Sequence, residues 1–411
     1  MEHYRIVELV RYMQCMVPKV RATYTLAGQT ATLFSDQRAP VDFVNACFSA
    51  YSTIDRVGAG AVKVNTLRLR TPLLRRTLND ILVDGLAAGY TRTRLVNRGM
   101  RLVVAVEDVY GIQTPMACVL DVKERLIHIP VIDYDGITNL VVMRTLRGAC
   151  QMLCVERGMV ALHAGGLACG GRGIPLLGSK RSGKTTTLLS GMVLGGMNVV
   201  ANDLLLLELS GHRLQMYGFP TALGIRESTV AALPILKNII KRKHHCYEMK
   251  RPLRCRWGGD DYPIREGRIH VRPHMLAAAT NTAVTPSATA VCLVAPRYQC
   301  HAKTSRLVAI ESSDLRALLE CNCIGRPGER FPWWRYLCRV DQGTYRVHTR
   351  DFVGNCARII PAFGLIQGKK SNASSVNILR QLLMDPPEIR PSPPSMRQCR
   401  RSTARYVSQL D

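Results

Sequence analysis

Apolar and polar residues alternate from Tyr24 to Phe34 on either side of Ala27-Gly28-Gln29, a pattern that predicts a β-hairpin. Leu67 to Leu82 has helical spacing instead, with a basic face at Arg68, Arg70, Arg75 and Arg76. Leu102 to Val106 and Val119 to Ile129 read as strands, and Thr138 to Arg157 as a helix stopping at Gly158. Short apolar runs broken by glycine follow. They predict strands at Val160 to Ala168 and Gly173 to Leu177 around a Gly170-Gly171 turn, a helix at Thr185 to Leu194, and, after Gly195-Gly196, a strand from Asn198 to Leu209. Leu204 to Leu209 and Arg213 to Tyr217 flank Ser210-Gly211-His212 as a further hairpin ending at Gly218-Phe219-Pro220. Ala288 to Pro296 reads as a core strand and Ser313 to Cys321 as a helix capped by Ser313.

These elements predict an α/β protein. Residues 1–145 form a smaller leading α/β region, 146–330 the core, and 331–383 a C-terminal segment packing on that core. In that segment Trp333-Trp334 is read as packing rather than as an exposed patch. Residues 384–411, rich in proline and arginine, have a composition that predicts disorder.

Composition narrows this only in places. A length of 411 residues allows two or three domains, and 47% hydrophobic residues exclude global disorder. No signal-peptide pattern and no long uninterrupted apolar run are present, so the expectation is a soluble, cytoplasmic protein without a membrane partner. Fifteen cysteines, scattered singly as at Cys150, Cys154, Cys169 and Cys292, read as small buried hydrophobes of a reducing compartment. The formal charge of +26 is spread over the chain and is compatible with nucleic acid, acidic peptide, anionic lipid or phosphorylated ligands.

The candidate chemistry centres on Gly178-Ser179-Lys180-Arg181-Ser182-Gly183-Lys184-Thr185, which fits G-x-x-x-x-G-K-[ST] at every defined position. Gly178 and Gly183 let the backbone turn its N–H groups inward as an anion nest. Lys184 supplies a point charge for the outer phosphates, the Thr185 hydroxyl is a Mg²⁺ ligand, and Thr186 is a further candidate contact. Lys180 and Arg181 offer additional positive charge. The predicted cofactors are ATP and Mg²⁺. A second carboxylate is expected at the end of the next strand, where Asn198-Val-Val-Ala-Asn202-Asp203 places Asp203 to organise the metal or accept a proton. His163, on the preceding apolar run, is either a core histidine or a catalyst.

The succession LHAGGLACGGRGIPLLGSKRSGKTTT, NVVANDLLLLE, YGFPTALGIR and VCLVAPRY resembles the HPr kinase-related group of bacterial kinases over roughly residues 145 to 325. The resemblance implies a phosphoenolpyruvate carboxykinase-like P-loop core with a mixed sheet. It also implies phosphoryl transfer to a serine-type hydroxyl, with His163 and Asp203 at catalytic positions. Asn202 stands where the group often has a first acid. Arg226, after Gly218-Phe219-Pro220, and Arg297, in Pro296-Arg297-Tyr298, are candidates to neutralise charge on the moving phosphoryl group. The phosphorylase signature of the bifunctional enzyme is not found.

Residues 237–272 hold eleven lysines and arginines against four acids, and read either as a surface for an acidic acceptor or as a solvated face. His244-His245-Cys246 with Cys255, and Cys321-x-Cys323, match no regular zinc spacing. The leading expectation is a kinase acting on a serine or threonine of a peptide or protein, natural-product precursors included. A small-molecule kinase, a nucleotide-binding pseudokinase and a P-loop ATPase that binds nucleic acid are the alternatives. Aromatic residues make up only 6% of the chain and no nucleic-acid-binding motif is found, which disfavours the last. The resemblance also suggests a homo-oligomer.

Overall fold

A computed structural model describes residues 2–55, 61–88, 92–97, 99–109, 112–134, 136–179, 181–237, 253–257, 260–264, 268–299, 301–324, 331, 333–368 and 371–387. The chain divides into two compact units, one of residues 1–157, 244–270 and 325–342, the other of residues 158–243, 271–324 and 343–411. Both carry helices on β-sheets, so the protein is α/β with mixed sheets. No helix among the described residues is long and apolar enough to cross a membrane.

The first unit contains α1 (Glu2–Cys15), β1 (Val20–Leu26), β2 (Gln29–Ser35), α2 (Arg38–Phe48), β3 (Thr53–Asp55), β4 (Val62–Arg68) and α3 (Pro72–Ala88). β5 (Arg92–Asn97), β6 (Met100–Val109), β7 (Ile112–Asp121), β8 (Leu126–Val131) and α4 (Gly136–Glu156) follow. Its sheet runs β3-β1-β2-β4-β8-β7-β6-β5. β2, β4 and β8 are mutually parallel, while the β1–β2 hairpin and β5 to β8 pair antiparallel. Ala27 and Gly28 both take left-handed φ (49° and 72°), the backbone a tight two-residue hairpin needs. Ile6, Leu9 and Met13 of α1 and Leu74 and Leu78 of α3 share a buried core with Leu102, Val104 and Val119.

The helix expected from Leu67 starts later. Leu67 and Arg68 finish β4, and α3 begins only at Pro72, because proline suits the first helical position and drives the residue before it out of the helical region. The strand expected over Val119 to Ile129 is two strands. Between them the Asp121 carboxylate accepts the Glu124 N–H at 3.0 Å, and Arg125 turns left-handed (φ 49°). Trp333 and Trp334 are fully buried, with the Phe331 ring so close to Gly148 of α4 that a Cβ there would lie 2.9 Å from it.

In the second unit β9 (Val160–Leu162), β10 (Gly165–Cys169), β11 (Arg172–Leu176), α5 (Lys184–Val193), β12 (Asn198–Ala201), β13 (Leu205–Ser210), β14 (Arg213–Gly218), β15 (Leu223–Arg226) and α6 (Glu227–Ala232) come first. The hairpin β16 (Leu253–Trp257) and β17 (Asp260–Ile264), which falls in the first unit, and β18 (Arg268–Val271) interrupt this order. The chain continues with α7 (Pro273–Ala279), β19 (Ser287–Ala290), β20 (Leu293–Tyr298), β21 (Arg306–Ala309), α8 (Ser312–Asn322), β22 (Cys323–Ile324), α9 (Trp334–Leu337), which belongs to the first unit, α10 (Gln342–Ile359), β23 (Ala362–Gln367) and α11 (Asn372–Met384). The sheet reads β21-β23-β20-β11-β19-β14-β13-β9-β22, with β10 beside β11 and β12 beside β10. It is mixed: β11 pairs parallel with β19 and β20, and β20 parallel with β23, whereas β9, β13 and β14 pair antiparallel.

Three expected strands of this unit are broken. Val160 to Ala168 divides at His163-Ala164, where the Ala164 N–H folds back onto the Leu162 carbonyl at 3.0 Å. Asn198 to Leu209 divides at Asn202-Asp203-Leu204. Ala288 to Pro296 divides at Val291-Cys292, as the chain leaves β14 for β23. The α8 N-cap is Glu311, in extended conformation, rather than Ser313. Cys150, Cys154 and Cys292 are buried, and burial pushes the Cys150 and Cys292 thiols up to about 12; Cys169, beside the Gly170-Gly171 turn, is exposed instead.

Candidate active site

β11 runs from its Gly170-Gly171 hairpin through the buried Leu176 and Leu177 into the glycine-rich loop, and α5 leaves the loop at Lys184. Gly178 (φ 140°) and Gly183 (φ 103°, the α5 N-cap) take backbone angles that side chains disfavour. Space forbids a side chain as well. A Cβ on Gly178 would lie 2.7 Å from Ser182 Oγ, and one on Gly183 2.6 Å from Gln367 Nε2. Arg181 is exposed and also left-handed (φ 73°), and Lys180 lies outside the described residues.

Lys184 is buried. Its ammonium donates to the carbonyl oxygens of Gly178 and, at 3.0 Å, of Ser179. Burial holds its pKa below the ordinary lysine value, and the Asp203 carboxylate opposes that shift, which puts Asp203 within electrostatic reach of the ammonium. A partly desolvated cation whose hydrogen bonds among the described residues go to neutral carbonyls is a ready partner for an anion. Ser182 Oγ is buried with no hydrogen-bond partner among the described residues.

Asp203 and His163 meet because both strand breaks fall at one place. β9 and β13 pair with Leu162 opposite Leu205, so His163, leaving β9, and Asp203, just before β13, lie at the same end of that pair. His163 Nε2 is 3.9 Å from Asp203 Oδ1, with the side chains 45% and 52% exposed. The His163 N–H donates to the Asn322 carbonyl at 2.7 Å, which fixes the backbone from the end of α8. The neighbouring Asn202 turns inward. It is 4% exposed and its Nδ2 donates to the Ala222 carbonyl at 3.4 Å, which ties it to the segment ahead of β15.

Lys184, Asp203 and His163 are thus gathered from three separate places in the chain. Thr185 is half-buried in the first turn of α5, and the Thr186 hydroxyl lies 3.3 Å from that of Thr229 on α6. Arg226 is the N-cap of α6, the helix beside α5. Arg297 is exposed on β20, next to the buried Pro296 whose Cβ backs Gly183.

The sequence reading missed Gln367, at the end of β23. Its Nε2 donates to Thr187 Oγ1 at 2.8 Å and its Oε1 accepts from Ser375 Oγ at 3.2 Å, while Thr187 Oγ1 also donates to the Gly183 carbonyl at 3.0 Å. This buried network clamps the loop's exit into α5. Nothing in the run Ala362–Gln367 marks it, because only the β20–β23 pairing brings it to the loop.

For a divalent cation the side chains available are the Thr185 hydroxyl and the Asp203 carboxylate. Both are hard oxygen donors, and no group of three or more His, Cys, Asp or Glu able to hold a metal occurs among the described residues. That set fits Mg²⁺, which keeps waters and phosphate oxygens and needs only one or two protein ligands. His244, His245 and Cys246, and most of the basic stretch 237–272, lie outside the described residues, as does the tail from 388. No protein-family model matches this chain, and no curated protein matches it.

Proposed function

We propose that the protein is an ATP-dependent kinase with a phosphoenolpyruvate carboxykinase-like core, transferring the γ-phosphoryl group to a serine or threonine hydroxyl of a peptide or protein. The observation that carries this reading is the convergence of the loop lysine, Lys184, with Asp203 and the His163 imidazole 3.9 Å from it. A hydrolytic switch does not need a second proton-accepting group beside the carboxylate; a transferase to an alcohol is served by one.

The backbone of Gly178 to Thr185 and the Lys184 ammonium hold the triphosphate, with the ammonium exchanging its carbonyl partners for phosphate oxygens. The Thr185 hydroxyl and the Asp203 carboxylate would hold Mg²⁺, which would neutralise charge on the phosphate oxygens. The acceptor oxygen forms a bond to the γ-phosphorus as the bond to the β,γ-bridging oxygen breaks and ADP leaves. The hydroxyl proton passes to the Asp203 carboxylate or, through that pair, to His163. Gln367 keeps the loop in register for transfer.

The test incubates purified protein with ATP, Mg²⁺ and peptides encoded beside it, and reads the mass of each peptide. Gain of one phosphoryl group, lost in Lys184→Ala, is the expected result. ATP hydrolysis stimulated by DNA, without labelling of any acceptor, would replace this reading with the nucleic-acid-dependent ATPase.

A further inference from the structure

The first unit carries a second concentration of positive charge, unrelated to the glycine-rich loop. β2, β4 and β8 are parallel, so Ser35, Arg68 and Val131 end at one edge of the sheet, and β1 starts there because Val20 pairs with Ser35. Ligands of open α/β sheets bind outside the carboxyl ends of parallel strands, where the connections diverge and leave a crevice. Such a crevice exists at this edge, a cavity of about 400 Å³ lined by Lys19, Asp36, Gln37, Arg68, Arg70 and Arg75.

Its walls are organised. Arg68 Nε donates to the Ile132 carbonyl at 3.2 Å and its guanidinium pairs with Asp133. Arg75 Nε donates to the Leu69 carbonyl at 2.8 Å, and its terminal nitrogens make no hydrogen bond or ion pair among the described residues. Asp36, 7% exposed, accepts from the Tyr134 hydroxyl at 2.6 Å and from the Arg68 N–H at 3.3 Å, which braces the turn after β4. Lys19 and Arg70 are exposed and have no ion-pair partner among the described residues. Against four cations stand Asp36 in the wall and Asp133 on Arg68, so the cavity keeps an excess of positive charge. Guanidinium forks held by backbone carbonyls are preorganised for an oxyanion with several acceptor oxygens.

We propose that this cavity binds a small doubly charged oxyanion, a phosphate monoester or a dicarboxylate, independently of the Gly178–Thr185 loop. The ligand sits at the carboxyl edge of β2, β4 and β8. Lys19, Arg70 and Arg75 supply its charge, with Arg68 braced beside it.

Calorimetric titration of the full chain with glycerol 3-phosphate and with succinate tests this, in a Lys184→Ala background that weakens anion binding at the loop. At least one probe is expected to bind, and adding Lys19→Gln and Arg70→Gln should weaken it by about tenfold or more. Binding of glycerol 3-phosphate alone assigns a phosphate ligand, and binding of succinate alone a carboxylate. Both substituted side chains are exposed, so the unfolding midpoint should stay unchanged. The pair Arg346→Gln and Arg350→Gln, exposed on α10, removes the same charge elsewhere and should leave affinity within about twofold. The proposal is overturned if neither probe binds the Lys184→Ala protein, or if the α10 pair weakens binding as much as the cavity pair.

Discussion

The Nε2 of His163 lies 3.9 Å from Oδ1 of Asp203, His163 following β9 and Asp203 preceding β13, two strands that pair in register. In the proposed transfer this couples two acceptors for one proton. Asp203→Asn should lower the single-turnover rate by about 10²–10⁴-fold, the usual span for a positioned general base. His163→Gln should leave nucleotide affinity unchanged while slowing transfer. Rates preserved in both variants would remove proton transfer from this pair.

Gln367 leaves no room for a Cβ at Gly183. Gly183→Ala meets two penalties, a left-handed φ costing about 1–2 kcal/mol and a Cβ 2.6 Å from Gln367 Nε2. Combining it with Gln367→Ala removes the steric part and leaves the backbone part, so the two changes should be non-additive in a double-mutant cycle read from urea midpoints. Gln367→Ala alone strands the buried Thr187 and Ser375 hydroxyls, at about 1–3 kcal/mol.

Asn202 is buried, and its Nδ2 donor suits the carbonyl it faces. A carboxylate there would be buried and would face the Ala222 carbonyl, which now accepts from Nδ2 at 3.4 Å. Asn202→Asp should lower stability at pH 7 by about 2 kcal/mol or more. The loss should shrink at pH 5, where the buried acid stays protonated. A variant of unchanged stability and faster transfer would show that Asn202 is a missing catalytic acid.

His128, in β8, is buried, and desolvation lowers its pKa to about 4, a shift only partly opposed by Asp121. Its Nδ1 lies 3.3 Å from Asn65 Nδ2, a donor that suits the neutral ring. With the folded value below the unfolded one, the unfolded chain takes up the proton first as pH falls. Stability should therefore drop between about pH 6.5 and 4, by up to about 3 kcal/mol, and level off below. His128→Leu should flatten that part of the pH profile of the unfolding midpoint.

Arg125 and Glu156 make a nearly buried ion pair at 2.6 Å, with Glu156 also accepting the Arg339 N–H at 2.7 Å and Arg125 donating to the Leu337 carbonyl at 3.2 Å. Removing one partner strands the other charge. Glu156→Ala should cost about 3–5 kcal/mol, and added salt should change that loss little, unlike the loss for an exposed pair.

Features written in local backbone chemistry are legible in the chain's own residues. The Ala27-Gly28 and Gly170-Gly171 hairpins, the stop of α4 at Gly158 and the glycine-rich loop each need a residue without a Cβ or with tolerance for left-handed angles, and such residues are visible singly. The helix start at Pro72 is equally local, since proline sets the first helical position although the helical spacing of apolar residues extends back to Leu67. Tertiary structure alone decided where the buried runs break. Val160 to Ala168 and Asn198 to Leu209 are apolar on both faces apart from His163, Asn198, Asn202, Asp203 and Glu208, so they carry no period of two whose interruption would mark where the chain changes neighbours. Those breaks set His163 beside Asp203, and the β20–β23 pairing set Gln367 behind Gly183. Likewise the basic residues at 68, 70 and 75, read as one helix face, fall on a strand end, a turn and a helix start. Strand pairing, a relation between distant segments, is what gathers them around one cavity.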